Sequence, residues 1–218
     1  MELTFSEGLK QDSIVTWDKI LNHKFVIEIS KEILSSRKFA FYLIQDRLFL
    51  RTFSNILKGA SSIPQNAEEK LLIKSLNNGI ADEMRMQNEI LDELSCEGIE
   101  NTRISVHSIT HDYAFYLRKV YHSRDMVLIV SALAPCPWTY SEIANSLSSN
   151  NIRSSVFEKW LGFYSSKESL NQVNQIKTLL NKMALRADEK KKFKMKHYFS
   201  ISCDYELQFW NVAYSYQE

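Results

Sequence analysis

The residues best suited to covalent chemistry lie in the segment from 133 to 142, where Cys136 stands between Pro135 and Pro137. An apolar run precedes the cysteine, and Tyr140 follows it at helical spacing, so Cys136 is predicted on the inward face of a helix. Proline inside a helix removes a hydrogen bond and pushes on the carbonyl four residues earlier. Two prolines in three residues therefore predict a local opening of the interior with a thiol at its wall.

Two carboxylates stand on apolar helix faces. Asp46 lies at the centre of an apolar stripe over 39–57, and Glu206 lies among aromatic residues near the C-terminus. An apolar surrounding raises the pKa of a carboxylic acid and favours its protonated form, which can act as a general acid. The alternatives are structural: Asp46 pairs with Arg47 or Arg51, and Glu206 reaches a lysine at a helix end or solvent.

Three tyrosines, Tyr113, Tyr140 and Tyr164, lie on the apolar faces of three different helices. Each one alone is more often a core residue. If they face one cavity, they form an aromatic slot for a flat heterocycle. His107 and His111 have the i, i+4 spacing of a metal pair, but no third ligand has a recognisable spacing, so no metal site is expected.

The elements that must position these residues are helices. Only five glycines and three prolines occur in 218 residues, which favours long helices with few turns. We predict an all-α, single-domain helical bundle over residues 1–218. Gly79 is a possible bend, and Ser165 with Glu168 has capping-box spacing. The predicted helices span 3–21, a short segment ending near 35, 39–57, 65–94, 108–122, 125–147, 152–163, 165–185 and 187–213.

Composition argues against several classes of function. The net charge is +1, so no nucleic-acid partner is expected. No apolar run approaches the ~20 residues that span a bilayer, and no phosphate-binding glycine motif is present, so neither a membrane nor a nucleotide cofactor is expected. The N-terminus does not have the pattern of a signal peptide, and the three cysteines have no CxxC spacing. A cytoplasmic protein with free thiols is predicted; Cys96 and Cys203 are interpreted as packing residues.

Five sequence blocks, spread from near one end of the chain to the other, resemble the TenA / thiaminase II family. Their order and mutual distances match that family, which is more specific than any single block, and the cysteine resembles its Cys-containing branch. The blocks are Tyr42-Leu-Ile-Gln-Asp46, His111-Asp-Tyr-Ala-Phe-Tyr116, Ala132-Leu-Ala-Pro-Cys-Pro-Trp-Thr-Tyr-Ser-Glu142, Lys159-Trp-Leu-Gly-Phe-Tyr164 and Tyr205-Glu-Leu-Gln-Phe-Trp210.

The resemblance implies a haem-oxygenase-like fold without haem or another cofactor, and a homotetramer. It implies hydrolysis of 4-amino-5-aminomethyl-2-methylpyrimidine to the hydroxymethylpyrimidine in thiamin salvage, with thiamin as a slower substrate. Cys136 would be the nucleophile, Asp46 the anchor of the pyrimidine and Glu206 the catalytic acid. The residues expected against the substrate ring are Tyr113, Tyr140, Tyr164, Phe49 and Phe209.

Two positions depart from the family pattern. Phe49 stands where many members carry tyrosine, and Pro137 follows the cysteine where other residues are common. Two other functions are open at this point. One is a non-catalytic pyrimidine or thiamin carrier, or a regulatory subunit, which needs Asp46 and the tyrosines but not Cys136 with Glu206. The other is a haem- or quinone-related enzyme of the wider fold group.

Overall fold

The computed structural model describes residues 3–63, 66–96, 105–148, 150 and 152–216. The predicted helix start at Pro64 and most of the predicted loop from 96 to 104 lie outside the described residues, as does the side chain of Cys96. The described residues form helices and no strand, so the all-α prediction is confirmed. The helices are α1 (Phe5–Asp12), α2 (Ile14–Leu21), α3 (Lys24–Ser30), α4 (Ser36–Ala60), α5 (Ala67–Cys96), α6 (Ser108–His122), α7 (Met126–Leu133), α8 (Pro135–Leu147), α9 (Ser155–Tyr164), α10 (Lys167–Arg186) and α11 (Glu189–Ser215).

Three predicted helix boundaries were wrong. The predicted helix over 3–21 divides at Ser13, which is both the C-cap of α1 and the N-cap of α2. The predicted helix over 125–147 divides at Ala134, because Pro135 begins α8 at a position where a backbone N–H is not required. Ser166 and not Ser165 caps α10, by accepting a hydrogen bond from the Ser169 amide, so the capping box predicted for Ser165 with Glu168 is not formed.

Two hydrophobic clusters make up the core, and α2, α4, α5, α8 and α11 contribute to both. On α4, Leu43 belongs to the aromatic-rich second cluster and Phe49 to the first, and Asp46 lies between them. Glu206 lies in the same way between the two sets of core residues on α11. The two carboxylates therefore mark the junction of the two clusters, where apolar packing alone does not fill the interior.

One segment of the described residues, Met126–Leu147, is long and apolar enough to cross a membrane by length and composition. However, 78% of its most apolar window is buried inside the protein, as in the core helix of a globular fold.

Candidate active site

A small chamber lies at the junction of the two clusters, with an empty volume of about 180 Å³. Helices α4, α6, α8 and α11 all contribute side chains to its wall. Seven of the eight predicted site residues line it: Asp46, Phe49, Tyr113, Cys136, Tyr140, Glu206 and Phe209.

Cys136 follows Pro135 in the first turn of α8, directly after the break between α7 and α8. It lines the same chamber as Glu206, and the two side chains are close enough for each to shift the pKa of the other. Burial raises the pKa of the Cys136 thiol well above its usual value, and the charges of Glu206, Glu83 and Asp46 raise it further. The resting cysteine is therefore a neutral thiol, which needs a base before it can attack.

Glu206 is 2% exposed, and the Tyr113 hydroxyl donates a hydrogen bond of 2.9 Å to its Oε1. Burial raises the pKa of Glu206 to about 8, although the hydrogen bond from Tyr113 and the neighbouring Cys136 thiol lower it in part. Among the described residues Glu206 forms no ion pair with a lysine, and its side chain does not reach solvent. A carboxyl group with this pKa can both take and give a proton near neutral pH.

Asp46 is 3% exposed, and the Gln87 Nε2 donates a hydrogen bond of 2.6 Å to its Oδ2. Among the described residues Asp46 forms this contact and not the alternative ion pair with Arg47 or Arg51, and Arg51 is exposed. Burial raises the pKa of Asp46, and the hydrogen bond from Gln87 opposes that shift.

Aromatic rings form the remaining walls of the chamber. The rings of Phe49 and Tyr113 lie 4.6 Å apart between centroids, on the side of the chamber next to Glu206. The Tyr140 ring lies 5.2 Å from that of Trp210 and 4.9 Å from that of Tyr164. A planar ring bound in the chamber would therefore meet aromatic faces and edges, as the sequence predicted.

Tyr164 differs from the other predicted site residues, because it lines a second cavity next to the chamber. This outer cleft has an empty volume of about 660 Å³ and shares Cys136 and Tyr140 with the chamber. The Tyr164 hydroxyl donates a hydrogen bond to Glu83 of α5.

Glu83 and Gln87 were missed by the sequence reasoning. Both lie on α5, where residues 76, 80, 83, 87, 90 and 94 follow one another at steps of three and four. Four of those six positions hold buried apolar residues, so the two polar residues between them stand on the inward stripe. A polar residue on the apolar stripe of a helix is also the signal that identified Asp46. Burial and the charge of Asp46 raise the pKa of Glu83 well above its usual value.

The two histidines considered as a metal pair have other environments. His107 precedes α6, and its ring nitrogen accepts a hydrogen bond from the Ile109 amide, which makes it the N-cap. The His111 side chain is 63% exposed and contacts Asp112.

Solved structures share this architecture over nearly the whole chain. A TenA homologue protein from P. horikoshii OT3 superposes with a TM-score of 0.83 at 23% identity, covering 97% of this chain and 99% of that one. Haem oxygenase-1 from the cyanobacterium Synechocystis sp. PCC6803, in complex with haem, superposes with a TM-score of 0.66 at 9% identity, covering 96% and 92%. These similarities confirm the fold.

Fold and chamber together define an all-α protein of the haem-oxygenase-like fold that brings a thiol and two carboxyl groups to a buried aromatic pocket. The model of the TENA/THI-4/PQQC family matches residues 13–216, and the chain belongs to that family. The family resemblance predicted from the sequence blocks is therefore confirmed.

Curated relatives cover almost the full chain. An aminopyrimidine aminohydrolase of Helicobacter pylori is 28% identical over 215 residues, covering 96% of this chain and 98% of the relative. An aminopyrimidine aminohydrolase of Bacillus subtilis (strain 168) is 25% identical over 213 residues, covering 97% and 90%.

Proposed function

We propose that this protein is a hydrolase of C–N bonds that acts on 4-amino-5-aminomethyl-2-methylpyrimidine. It releases ammonia and the hydroxymethylpyrimidine for thiamin salvage, and it cleaves thiamin more slowly. The names of its relatives support this activity. The observation that carries the proposal is that Cys136, Glu206 and Asp46 line one chamber.

The chamber suits the pyrimidine half of this substrate. Its aromatic walls would flank one substituted six-membered ring. Asp46 would accept hydrogen bonds from the ring's amino group and a protonated ring nitrogen, and the protonated ring accepts a nucleophile more readily. The tyrosine rings would fix the plane of the substrate, so that proximity contributes part of the rate acceleration.

Cys136 would attack the pyrimidine ring as a thiolate. Glu206, when ionised, takes the thiol proton, since both side chains line the chamber. The new C–S bond breaks the aromaticity of the ring, and ring electrons then expel the amine from the methylene carbon. Covalent catalysis in this form replaces one difficult displacement with two easier steps.

Glu206 would then complete the proton transfers. The proton taken from the thiol passes to the departing amine, which leaves as ammonia. In the second half of the reaction Glu206 takes a proton from water, the hydroxide adds to the methylene carbon, and the thiolate is expelled as the ring regains aromaticity. The pKa of about 8 suits a group that gives and takes protons in turn.

The direct test is a steady-state assay of the purified protein with the aminomethylpyrimidine and with thiamin. We expect turnover of both, with the higher kcat/KM for the aminomethylpyrimidine. Cys136→Ala and Glu206→Gln should each lower kcat by about 10²-fold or more. The hydroxymethylpyrimidine product should still bind both variants. If Cys136→Ala released product at the parental rate, the cysteine would not be the nucleophile; if the parent bound pyrimidine without turnover, it would be a carrier.

We also propose a cytoplasmic homotetramer, which the family resemblance supports. Large apolar side chains on the surface, such as Phe193 at 71% and Leu185 at 87% exposed, suit burial between subunits. Sedimentation equilibrium of the purified chain would measure the assembly mass, and a monomer at micromolar concentration would contradict the tetramer.

A further inference from the structure

The break between α7 and α8 deprives backbone carbonyls of the donors that a continuous helix would give them. The amides that would bond the carbonyls of Ser131 and Leu133 belong to positions 135 and 137, and both positions hold proline. The carbonyl of Ala132 lies between those two, in the last turn of α7, and Ala132 is fully buried. Carbonyls in the last turn of a helix have no partner within it, and buried ones take a partner from elsewhere. This turn is therefore a point at which another helix can hold the break.

Ser202 of α11 donates a hydrogen bond at this point. Its side chain is fully buried, and its Oγ donates to the Ala132 carbonyl at 2.7 Å. Ser202 stands four residues before Glu206, so both side chains lie on the same face of α11. Ala132 stands four residues before Cys136, across the break. One hydrogen bond therefore joins the helix that carries Glu206 to the break that sets the position of Cys136.

The hydrogen bond constrains the two helices more tightly than their apolar contact does. Helices α7 and α11 pack against each other, and both contribute to the first hydrophobic cluster, α7 with Leu128 and Leu133 and α11 with Phe199 and Cys203. Apolar burial is not directional, so such a contact tolerates a small slide of one helix along the other. A bond between a hydroxyl and a carbonyl holds its two oxygens within a few tenths of an ångström. The bond therefore fixes the alignment of α11 with the start of α8.

We infer that Ser202 is a positioning residue of this enzyme: through the Ala132 carbonyl it holds the broken helix so that the Cys136 thiol stays aligned with Glu206. This inference rests on the proposed function, because it concerns the pair that exchanges the proton in that mechanism. Ser202 is not among the described residues that line the chamber, so it acts through the backbone alone. Its contribution is to proton transfer and not to binding of the pyrimidine, which the proposed mechanism assigns to Asp46 and the aromatic rings.

Ser131 gives a matched control in the same part of the fold. It is also fully buried, and its Oγ also donates a hydrogen bond of 2.7 Å, but the acceptor is the Val127 carbonyl of its own helix. Only Ser202→Ala therefore breaks a bond between α7 and α11, although Ser131→Ala removes the same group. Ser202→Ala should lower kcat for the aminomethylpyrimidine about tenfold with KM unchanged, and Ser131→Ala should change neither. Equal kcat values for the two variants would overturn the inference.

Alkylation of Cys136 tests the alignment without turnover. Cys136 is partly exposed and lines the outer cleft, so iodoacetamide can reach it, and mass spectrometry of its peptide gives the rate at each pH. The charge of Glu206 raises the pKa of the Cys136 thiol. Glu206→Gln should therefore lower the pH midpoint of alkylation by about one pH unit. Ser202→Ala should lower it by about half a pH unit, because the thiol moves away from that charge, and Ser131→Ala should leave it unchanged.

A double-variant cycle separates lost alignment from a general loosening of the site. Burial and the charges of Glu83 and Asp46 also raise the pKa of the thiol, and these influences remain in Glu206→Gln. In the Glu206→Gln background, Ser202→Ala should shift the midpoint by less than about 0.2 pH units, because the charge whose distance it changes is gone. The same half-unit shift in both backgrounds would show that Ser202→Ala only admits water, and would overturn the inference.

An isosteric pair at the same position tests the hydrogen bond itself. Ser202→Thr keeps the hydroxyl and Ser202→Val replaces it with a methyl group of similar size, so both add the same bulk to the core. Only Ser202→Val should repeat the effect of Ser202→Ala on the midpoint; an equal shift in both would assign the effect to packing and refute the inference. Turnover by the parent is measured in parallel. Its absence would refute the proposed function, whereas parental turnover with additive midpoint shifts would refute only this inference.

Discussion

The chamber and the outer cleft share two residues but differ in most of their carboxyl groups. In the chamber both carboxyl groups are buried and accept a hydrogen bond, Asp46 from Gln87 and Glu206 from Tyr113. In the cleft Glu83 is held in the same way by Tyr164, but Asp82 and Glu168 are exposed. The cleft is larger and reaches polar residues at the rim. Fixed partners and raised pKa values suit groups that must move protons at one position. A wide cleft with an exposed rim instead suits the binding of groups that vary in size.

The largest expected difference between the two regions is catalytic. Glu206→Gln should lower kcat by about 10²- to 10⁴-fold, because the amide can neither take the thiol proton nor give it to the amine. Glu168→Gln at the rim of the cleft should cause only a few-fold loss, and that loss should appear in KM. Glu189→Gln, exposed on the same helix as Glu206, is the matched control. Equal losses in kcat for Glu206→Gln and Glu168→Gln would contradict the assignment of the chemical step to the chamber alone.

Stability as a function of pH should also separate Glu206 from the exposed carboxyl groups at the rim of the cleft. Burial raises the pKa of Glu206 from 4.5 to about 8, so the unfolded chain gives up this proton at lower pH than the folded one. The stability that Glu206 contributes is present in full below the unfolded-state pKa of 4.5, and it is lost as pH rises through the folded-state pKa of about 8. Glu206→Gln should therefore raise the free energy of unfolding at about pH 9, on the order of 1 to 3 kcal/mol, but not at about pH 4.

Urea unfolding at the two pH values measures this effect. Glu168→Gln supplies the contrast, since its side chain is exposed at the rim of the cleft. A gain for Glu206→Gln of the same size at both pH values would mean that the glutamine packs better, and that ionisation of Glu206 has no part in the change.

A smaller effect is expected at Gln87, which holds Asp46 and touches no reacting atom. Gln87→Leu keeps most of the side-chain volume but removes the donor to Asp46, and a hydrogen bond to a charged group contributes about 1.5 to 3 kcal/mol. We expect kcat/KM to fall about tenfold, mainly through KM, because the pKa of Asp46 rises and its carboxylate loses orientation. Asn88→Leu, an exposed neighbour, is the control. A loss confined to kcat would contradict a positioning role.

The sequence predicted the chamber better than the cleft for a physical reason. Asp46 and Glu206 interrupt strong apolar stripes, and Cys136 lies between two prolines, so each position differs from what packing alone requires. Glu83 interrupts a comparable stripe on α5, but its significance depends on Tyr164, which is 81 residues away in the chain. Periodicity identifies inward faces one helix at a time. It does not tell which faces meet, and the cleft exists only where α4, α5, α8, α9 and α10 meet.

Two glycines give the smallest expected effect and test how firmly the cleft wall is packed. Alanine in place of helical glycine stabilises a helix by roughly 0.5 to 1 kcal/mol. At Gly162 of α9 an added Cβ meets nothing within 4 Å, so Gly162→Ala should show this gain. At Gly79 the added Cβ would lie 2.6 Å from Gln172 Nε2, which donates a hydrogen bond of 3.0 Å to the Ser75 carbonyl.

In Gly79→Ala the Gln172 side chain must move and give up that bond, which costs about 1 kcal/mol and cancels the helical gain. Thermal unfolding should therefore give Gly162→Ala a higher free energy of unfolding than the parent. The free energy of unfolding of Gly79→Ala should lie within about 0.5 kcal/mol of the parent's. An equal gain in both would show that Gln172 rearranges freely. The wall between α5 and α10 would then be deformable, and the size of the cleft would not be fixed.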